Sequence, residues 1–74
     1  MAALIRSVDD LGNLVRTRRK ELGFTQRRVA DLCGTGLRFI SDFENGKETL
    51  KIGKALIILM TLGIDLKAEI RGAS

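Results

Sequence analysis

Apolar residues recur along this chain at the three- and four-residue spacing of α-helices. Residues three or four apart lie on one face of a helix, and a continuous apolar face predicts a helix that packs against a core. Four segments show this spacing, and the predicted helices span about 8–22, 26–33, 37–44 and 52–62. The chain is therefore predicted to be mainly α-helical, with residues 1–74 in one domain.

Local start and stop signals agree with these helices. Ser7 and Thr25 precede the first two helices, where a hydroxyl oxygen can accept a hydrogen bond from an unpaired amide of the first turn. Asp9 and Asp10 favour the positive end of the first helix. Gly23 is expected to end that helix in the left-handed conformation. The expected buried residues of the first three helices are Leu11, Leu14, Val15, Leu22, Val29, Ala30, Cys33, Ile40 and Phe43.

The second and third predicted helices are short, and the turn between them contains Gly34 and Gly36. Two such helices form a helix-turn-helix, in which the second helix enters the major groove of DNA. With Ile40 and Phe43 facing the core, the outer face of that helix carries Leu37, Arg38, Ser41 and Asp42. We predict that these outer residues contact base edges.

Each outer residue matches a type of base contact. The Arg38 guanidinium fits O6 and N7 of guanine, the commonest specific contact in the major groove. Leu37 can touch a thymine methyl group, and the Ser41 hydroxyl can donate or accept. Asp42 has two open interpretations: it can accept from a cytosine amine, or it can hold Arg38, four residues earlier on the same face. Phe39, at the edge of the core stripe, is expected to pack rather than to read bases.

The basic residues are concentrated around the predicted helix-turn-helix. The formal net charge of the chain is +4. Between Arg16 and Arg38 there are seven basic and two acidic residues, a local charge of +5, so the rest of the chain carries −1. Such a cluster is typical of a surface that faces DNA phosphates. A solvated face that aids solubility would have the same composition.

The composition argues against an enzyme. The chain has no histidine and one cysteine, which excludes a histidine-based triad, a disulfide within the chain and a cysteine/histidine zinc site. No glycine-rich phosphate loop follows a strand, so neither a cofactor nor a metal is expected. Cys33 is expected to be a small buried residue. The longest apolar run, 55–60, is too short to span a membrane, and no secretory signal is recognisable, so we expect a cytoplasmic protein.

The last segment of the chain changes to a strand-like period. Strict alternation of apolar and charged residues predicts a strand over about 64–71. A lone strand is not stable, and antiparallel pairing of two copies about Ala68 would oppose only unlike charges. The cross-strand pairs would be Asp65 with Arg71 and Lys67 with Glu69. A frayed tail and pairing with Ala2 to Ile5 are the alternatives.

Two copies are also expected to meet through the fourth helix. Ile57 and Ile58 widen the apolar surface of that helix beyond what a four-helix domain of this size can cover. A chain this short is marginally stable alone, which favours a homodimer. The predicted dimer interface consists of Ile57, Ile58, Ile64, Leu66, Ala68 and Ile70.

Several short motifs occur together at a characteristic spacing. They are Thr25-Gln26, Val29-Ala30, the turn at Gly34, Ile40-Ser41 and Glu44-Asn45-Gly46-Lys47. In these motifs the chain resembles the XRE or lambda-repressor-like helix-turn-helix proteins over about 11–62. Leu14-Val15-Arg16, Arg18-Arg19-Lys20 and the tail LKIGKALIILMTLGIDL make it similar to the HipB-like antitoxins. It departs from the family at Gly36, where serine or threonine is common, and at Thr35, where valine is usual.

The resemblance implies a four-helix lambda-repressor-like DNA-binding fold and gives roles to residues outside the third helix. It implies that Gln26 bonds a DNA phosphate and that Asn45 and Lys47 clamp another. It also implies a two-stranded lid formed by the C-terminal strands of the two subunits. Arg18, Arg19 and Arg27 are expected to add charge contacts to phosphates.

The resemblance further implies a homodimeric transcriptional repressor that binds a palindromic double-stranded operator. It implies a HipA-like kinase toxin as the partner and the protein's own operon as the target. A stand-alone XRE regulator without a toxin is the alternative, and the presence of a neighbouring kinase-like gene would separate the two. A third interpretation is an interaction module that binds DNA only weakly and without preference.

Overall fold

The computed structural model describes residues 3–72 and contains four α-helices in that range. They are α1 (Val8–Glu21), α2 (Gln26–Cys33), α3 (Leu37–Glu44) and α4 (Ile52–Thr61). The predicted mainly α-helical, four-helix fold is confirmed. The predicted ranges of α2 and α3 are reproduced, whereas α1 and α4 each end one residue earlier than expected.

Hydrogen bonds at the helix ends explain why the boundaries were predictable. The Ser7 hydroxyl oxygen accepts from the Asp10 amide at 3.0 Å, and the Thr25 hydroxyl oxygen accepts from the Arg28 amide at 3.0 Å. Gly34 caps α2 with a left-handed φ of 67°, which a side chain would strain. Gly36 at the start of α3 provides no side-chain cap. The predicted start of α1 and both predicted ends of α2 are therefore confirmed.

The core lies among the four helices, with α2 in contact with both α3 and α4. Helix α3 packs against α1 and α2, and α4 packs against α2. The buried apolar residues are Leu11, Val15, Val29, Ala30, Ile40, Phe43, Ala55, Ile58, Leu59 and Leu62. Leu14 and Cys33 pack partly buried against this core. Leu22 is 37% exposed, contrary to its predicted burial, because α1 ends at Glu21 and the chain turns away at the cap.

A glycine allows α1 and α3 to approach closely. A Cβ atom at Gly12 would overlap the carbonyl oxygen of Phe43. Gly12 is therefore required at this crossing, and it lets the last turn of α3 lie directly against α1. That turn carries Glu44, whose side chain enters the space between α1 and α2.

The segment after α4 is not a strand in the described part of this single chain. Ile64 packs against the core, while Leu66 and Ile70 are exposed. The pairing predicted for residues 64–71 joins two copies, and an unpaired strand is not stable. The alternative pairing segment includes Ala2, which lies outside the described residues. No helix within 3–72 is both long and apolar enough to cross a membrane.

Candidate nucleic-acid interface

The outer face of α3 is open to solvent. The side chain of Arg38 is 90% exposed, whereas Ile40 and Phe43 on the opposite side are fully buried. Leu37 is exposed, and Ser41 and Asp42 are half-buried along the same face. The helix thus presents the predicted base-reading residues away from the core, with Arg38 projecting furthest.

The loop after α3 is tied to this outer face by polar contacts. The Asn45 side-chain amide donates to the Ser41 hydroxyl oxygen at 3.4 Å. The Lys47 ammonium donates to the Asp42 carboxylate at 3.4 Å, and the Arg38 Nε lies 3.9 Å from the same oxygen. Of the two interpretations of Asp42, the geometry favours the one in which its carboxylate holds Arg38. The expected phosphate residues Asn45 and Lys47 lie beside the expected base readers.

Glu44 connects α3 to the start of α2. Its carboxylate accepts a hydrogen bond from the Gln26 side-chain amide at 3.1 Å. Gln26 is the first residue of α2 and is half-buried. A side-chain amide has two N–H groups and one carbonyl oxygen, so Gln26 keeps hydrogen-bonding capacity for a phosphate while Glu44 fixes its orientation.

Glu44 is also half of a buried ion pair. Arg19 donates to its two carboxylate oxygens from Nε at 2.6 Å and from Nη2 at 3.0 Å. The remaining guanidinium nitrogen, Nη1, donates to the carbonyl oxygen of Phe24 at 2.8 Å. Only 9% of Arg19 and 4% of Glu44 is exposed. The pair and Gln26 form a network, named here the Arg19–Glu44–Gln26 network, which joins α1, α3 and α2.

The expectation that Arg19 contacts DNA phosphates is therefore wrong, because its guanidinium is buried and hydrogen-bonded inside the protein. Helical spacing gave a signal for this: Arg19 follows Leu11 and Val15 at four-residue intervals on the buried stripe of α1. Glu44 likewise follows Ile40 by four residues on the buried stripe of α3. A basic and an acidic residue, each on a buried stripe, indicate an internal ion pair.

Arg18 also makes contacts within the protein. Its Nε donates to the carbonyl oxygen of Leu62 at 2.9 Å, and its Nη1 lies 3.7 Å from the Glu21 carboxylate. Arg18 thereby caps the C-terminal end of α4, while 40% of its side chain is exposed, so its contact with a DNA phosphate stays a prediction. Arg27, in contrast, is exposed next to Gln26 at the start of α2.

Two lysines near α3 were missed by the sequence reasoning. Lys54 lies with Nζ 5.6 Å from the centre of the Phe39 ring, and Phe39 itself packs edge-on against Phe43 at 6.4 Å. Lys51 and Lys54 line a shallow depression together with Lys47 and Asp42. They lie outside the basic cluster of residues 16–38, which is why charge density along the chain did not reveal them. The expected packing role of Phe39 agrees with its contacts.

A second exposed surface, apolar rather than charged, runs along α4. Its residues, named here the apolar face, are Ile52, Leu56, Ile57 and Met60. The assignment of Ile58 to a dimer interface is wrong, because Ile58 is fully buried in the chain's own core. Met60, two positions later, is 78% exposed instead. Helix α4 is apolar nearly all round, so periodicity alone did not separate its inner from its outer side.

Comparisons with known proteins agree with this geometry. The helix-turn-helix family HTH_3 matches residues 15–68. The Uncharacterized HTH-type transcriptional regulator y4mF of Sinorhizobium fredii (strain NGR234) is 48% identical over 66 residues, 89% of this chain and 87% of that protein. The solved HipB-O4 20mer complex has a TM-score of 0.85 at 26% identity, covering 95% of this chain and 99% of its own. The HipA-HipB-O2-O3 complex gives the same values.

Replacing Arg19 by alanine is expected to lower the free energy of unfolding by about 3–5 kcal/mol. The substitution leaves the Glu44 carboxylate buried, with Gln26 as its remaining side-chain partner. Urea denaturation at one fixed protein concentration measures the change. Arg28→Ala removes an exposed arginine from α2 and is the matched control, with an expected change within about 0.5 kcal/mol. Equal stability of the two variants would contradict the structural role of Arg19.

Proposed function

This chain belongs to the XRE-type helix-turn-helix family HTH_3, a family of DNA-binding transcription regulators, and we propose that it is a repressor that reads double-stranded operator DNA with the outer face of α3. The observation that carries this proposal is the exposure of Arg38 on that face, in the helix that also holds Gln26 through Glu44 and Lys47 through Asp42. A base-reading side chain accompanied by phosphate-binding ones matches the division of labour in protein–DNA interfaces.

Base reading is assigned to the residues that α3 exposes. Arg38 presents a guanidinium with free Nη groups, which can address O6 and N7 of one guanine. Leu37 is exposed at the start of the helix, where it can contact a thymine methyl group. Ser41 lies one turn further along and can donate or accept at a base edge. Asp42 supports Arg38, as its 3.9 Å separation from Nε suggests.

Phosphate binding is assigned to residues that flank α3. Gln26 and Arg27 open α2, where free backbone N–H groups and the helix dipole also favour an anion. Asn45 and Lys47 follow α3 and are held against it by Ser41 and Asp42. These contacts would fix the register of α3 in the groove without selecting a sequence.

We further propose that the repressor is a homodimer. The apolar face of α4 is exposed in the single chain, and Leu66 and Ile70 of the tail are exposed as well. Contiguous apolar residues on a small soluble protein mark an interface. Pairing of the two tails about Ala68, with Ile64 still packed on its own core, would extend that interface. A dimer would present two α3 helices about 34 Å apart and would require a palindromic operator.

We propose, finally, that the regulator is the antitoxin of a HipA-like kinase toxin and represses its own operon. The similarity to HipB covers 95% of this chain and so includes the tail after α4. One similar structure is a complex of HipB with HipA. The name of the Sinorhizobium relative specifies only a transcriptional regulator, so a stand-alone regulator is the alternative.

Arg38→Ala is expected to weaken operator binding by about 1–3 kcal/mol and to relax the preference at one base position. Lys47→Ala is expected to weaken binding to all sequences about equally, because it removes a phosphate contact. Fluorescence anisotropy with the DNA upstream of the protein's own coding sequence, and with a panel of single-base variants, measures both effects. The reverse assignment of the two effects would refute the proposed roles.

Leu56→Asp is expected to convert the dimer to a monomer, because it sets a charge in the middle of the apolar face. Sedimentation equilibrium measures the mass directly. Leu32→Asp is the matched control, because Leu32 on α2 is similarly exposed, 45% against 40% for Leu56, and lies outside the apolar face. A wild-type monomer, or a Leu56→Asp variant that remains dimeric, would contradict the proposed interface.

The antitoxin proposal predicts that a kinase-like protein is encoded beside this one and binds it. Co-expression of the two, with a tag on the kinase-like protein only, is expected to yield a complex that elutes together in size-exclusion chromatography. A neighbourhood without a kinase-like gene, or separate elution of the two proteins, would favour the stand-alone regulator. Neither result would affect the proposed DNA contacts of α3.

A further inference from the structure

Asp42 is the acidic residue on the outer face of α3, since Glu44, the other carboxylate of that helix, is buried. Its carboxylate oxygen Oδ2 lies 3.4 Å from the Lys47 ammonium and 3.9 Å from the Arg38 Nε. One carboxylate thus engages both the proposed base reader and a proposed phosphate ligand. A negative charge on a surface that is to meet DNA phosphates is unfavourable, so its position calls for an explanation.

We propose that Asp42 determines sequence specificity by penalising binding to DNA that lacks the operator sequence. In the free protein its carboxylate occupies the place that a phosphate oxygen would take beside Lys47. It therefore competes with the DNA backbone for that cation. This inference rests on the proposed function of α3 in reading DNA, and it concerns the ratio of operator affinity to non-specific affinity.

The penalty falls mainly on non-specific complexes. Binding to arbitrary DNA is driven by neutralisation of phosphates and the release of their counterions. Lys47 must leave Asp42 to take part, and Arg38, with no guanine edge to hold it, is free to turn to a phosphate as well. The carboxylate is then left near the phosphates without compensation. Lys47 thus contributes less to non-specific binding than it would without the neighbouring Asp42 carboxylate.

On the operator the same carboxylate has a second role. Asp42 faces the Nε of Arg38 and leaves the two Nη groups free. Those two groups are the ones that a guanine edge can accept in a bidentate contact. The carboxylate then remains paired with Arg38 and holds its guanidinium in the orientation for guanine. Asp42 is thus a positioning residue whose charge is compensated only when the correct base is present.

The test compares Asp42→Asn with Asp31→Asn. Both substitutions keep the shape of the side chain and remove one negative charge. Asp31, however, is exposed on α2 and, within residues 3–72, pairs with neither Arg38 nor Lys47. Affinities are measured by fluorescence anisotropy on two duplexes of equal length over a series of salt concentrations. One duplex carries the DNA upstream of the coding sequence and the other carries the same bases in scrambled order.

Asp42→Asn is expected to bind the scrambled duplex roughly three- to tenfold more tightly than the wild type, with a slope of log K against log salt steeper by about 0.9. Its affinity for the upstream duplex is expected to stay the same or to fall, so that the specificity ratio falls by at least the same factor. Asp31→Asn is expected to leave the ratio and the slope close to the wild-type values. A change of fold stability alone would not alter the salt slope on scrambled DNA.

Two results would overturn the inference. If both variants change the affinities for the two duplexes by equal factors, Asp42 acts only through net charge. If Asp42→Asn loses operator affinity while scrambled DNA is unaffected, Asp42 reads a base directly. A wild-type protein that binds the two duplexes with equal affinity would instead refute the proposed function. In that case the salt slopes of the wild type and of Asp42→Asn on scrambled DNA would still show whether Asp42 keeps Lys47 from binding phosphates.

Discussion

The buried ion pair between Arg19 and Glu44 is the interaction on which the rest of this structure depends. It joins α1 to the last turn of α3, and the hydrogen bond from Gln26 extends it to the first residue of α2. A buried charge is costly unless it is fully paired, and here the guanidinium also donates to the Phe24 carbonyl oxygen. The network therefore has one well-satisfied arrangement, which fixes three helices relative to one another.

The same network links the fold to its surface chemistry. Glu44 is buried, yet one of its oxygens orients Gln26 at the surface, while its helix carries Arg38 on the opposite side. The position of Gln26, a proposed phosphate contact, relative to the helix that carries Arg38, a proposed base reader, is thus set inside the protein before DNA arrives. Such preorganisation lowers the entropy that binding must overcome. Asp42, two residues before Glu44 in α3, pairs on the outer face with Arg38 from the helix and with Lys47 from the following loop.

Features governed by neighbouring residues were predictable from the sequence, and features governed by distant partners were not. The caps at Ser7 and Thr25 depend on amides three residues away, so the helix starts were correct. The expected phosphate contact of Arg19 is wrong because Arg19 pairs inside the protein with Glu44, which lies 25 residues away along the chain. Ile58 and Met60 were not distinguished because α4 is apolar on most sides. The strand expected near Ala68 depends on a second copy and stays a prediction.

The most direct test of this account is a titration of the isotope-labelled protein with its upstream DNA duplex, followed by nuclear magnetic resonance of backbone and side-chain N–H groups. We expect the largest shifts at residues 26–28 and 37–47, including the Gln26 side-chain amide, with the Arg19 Nε–H signal nearly unchanged. Shifts confined to α1 or to the tail, with residues 37–47 unaffected, would contradict it.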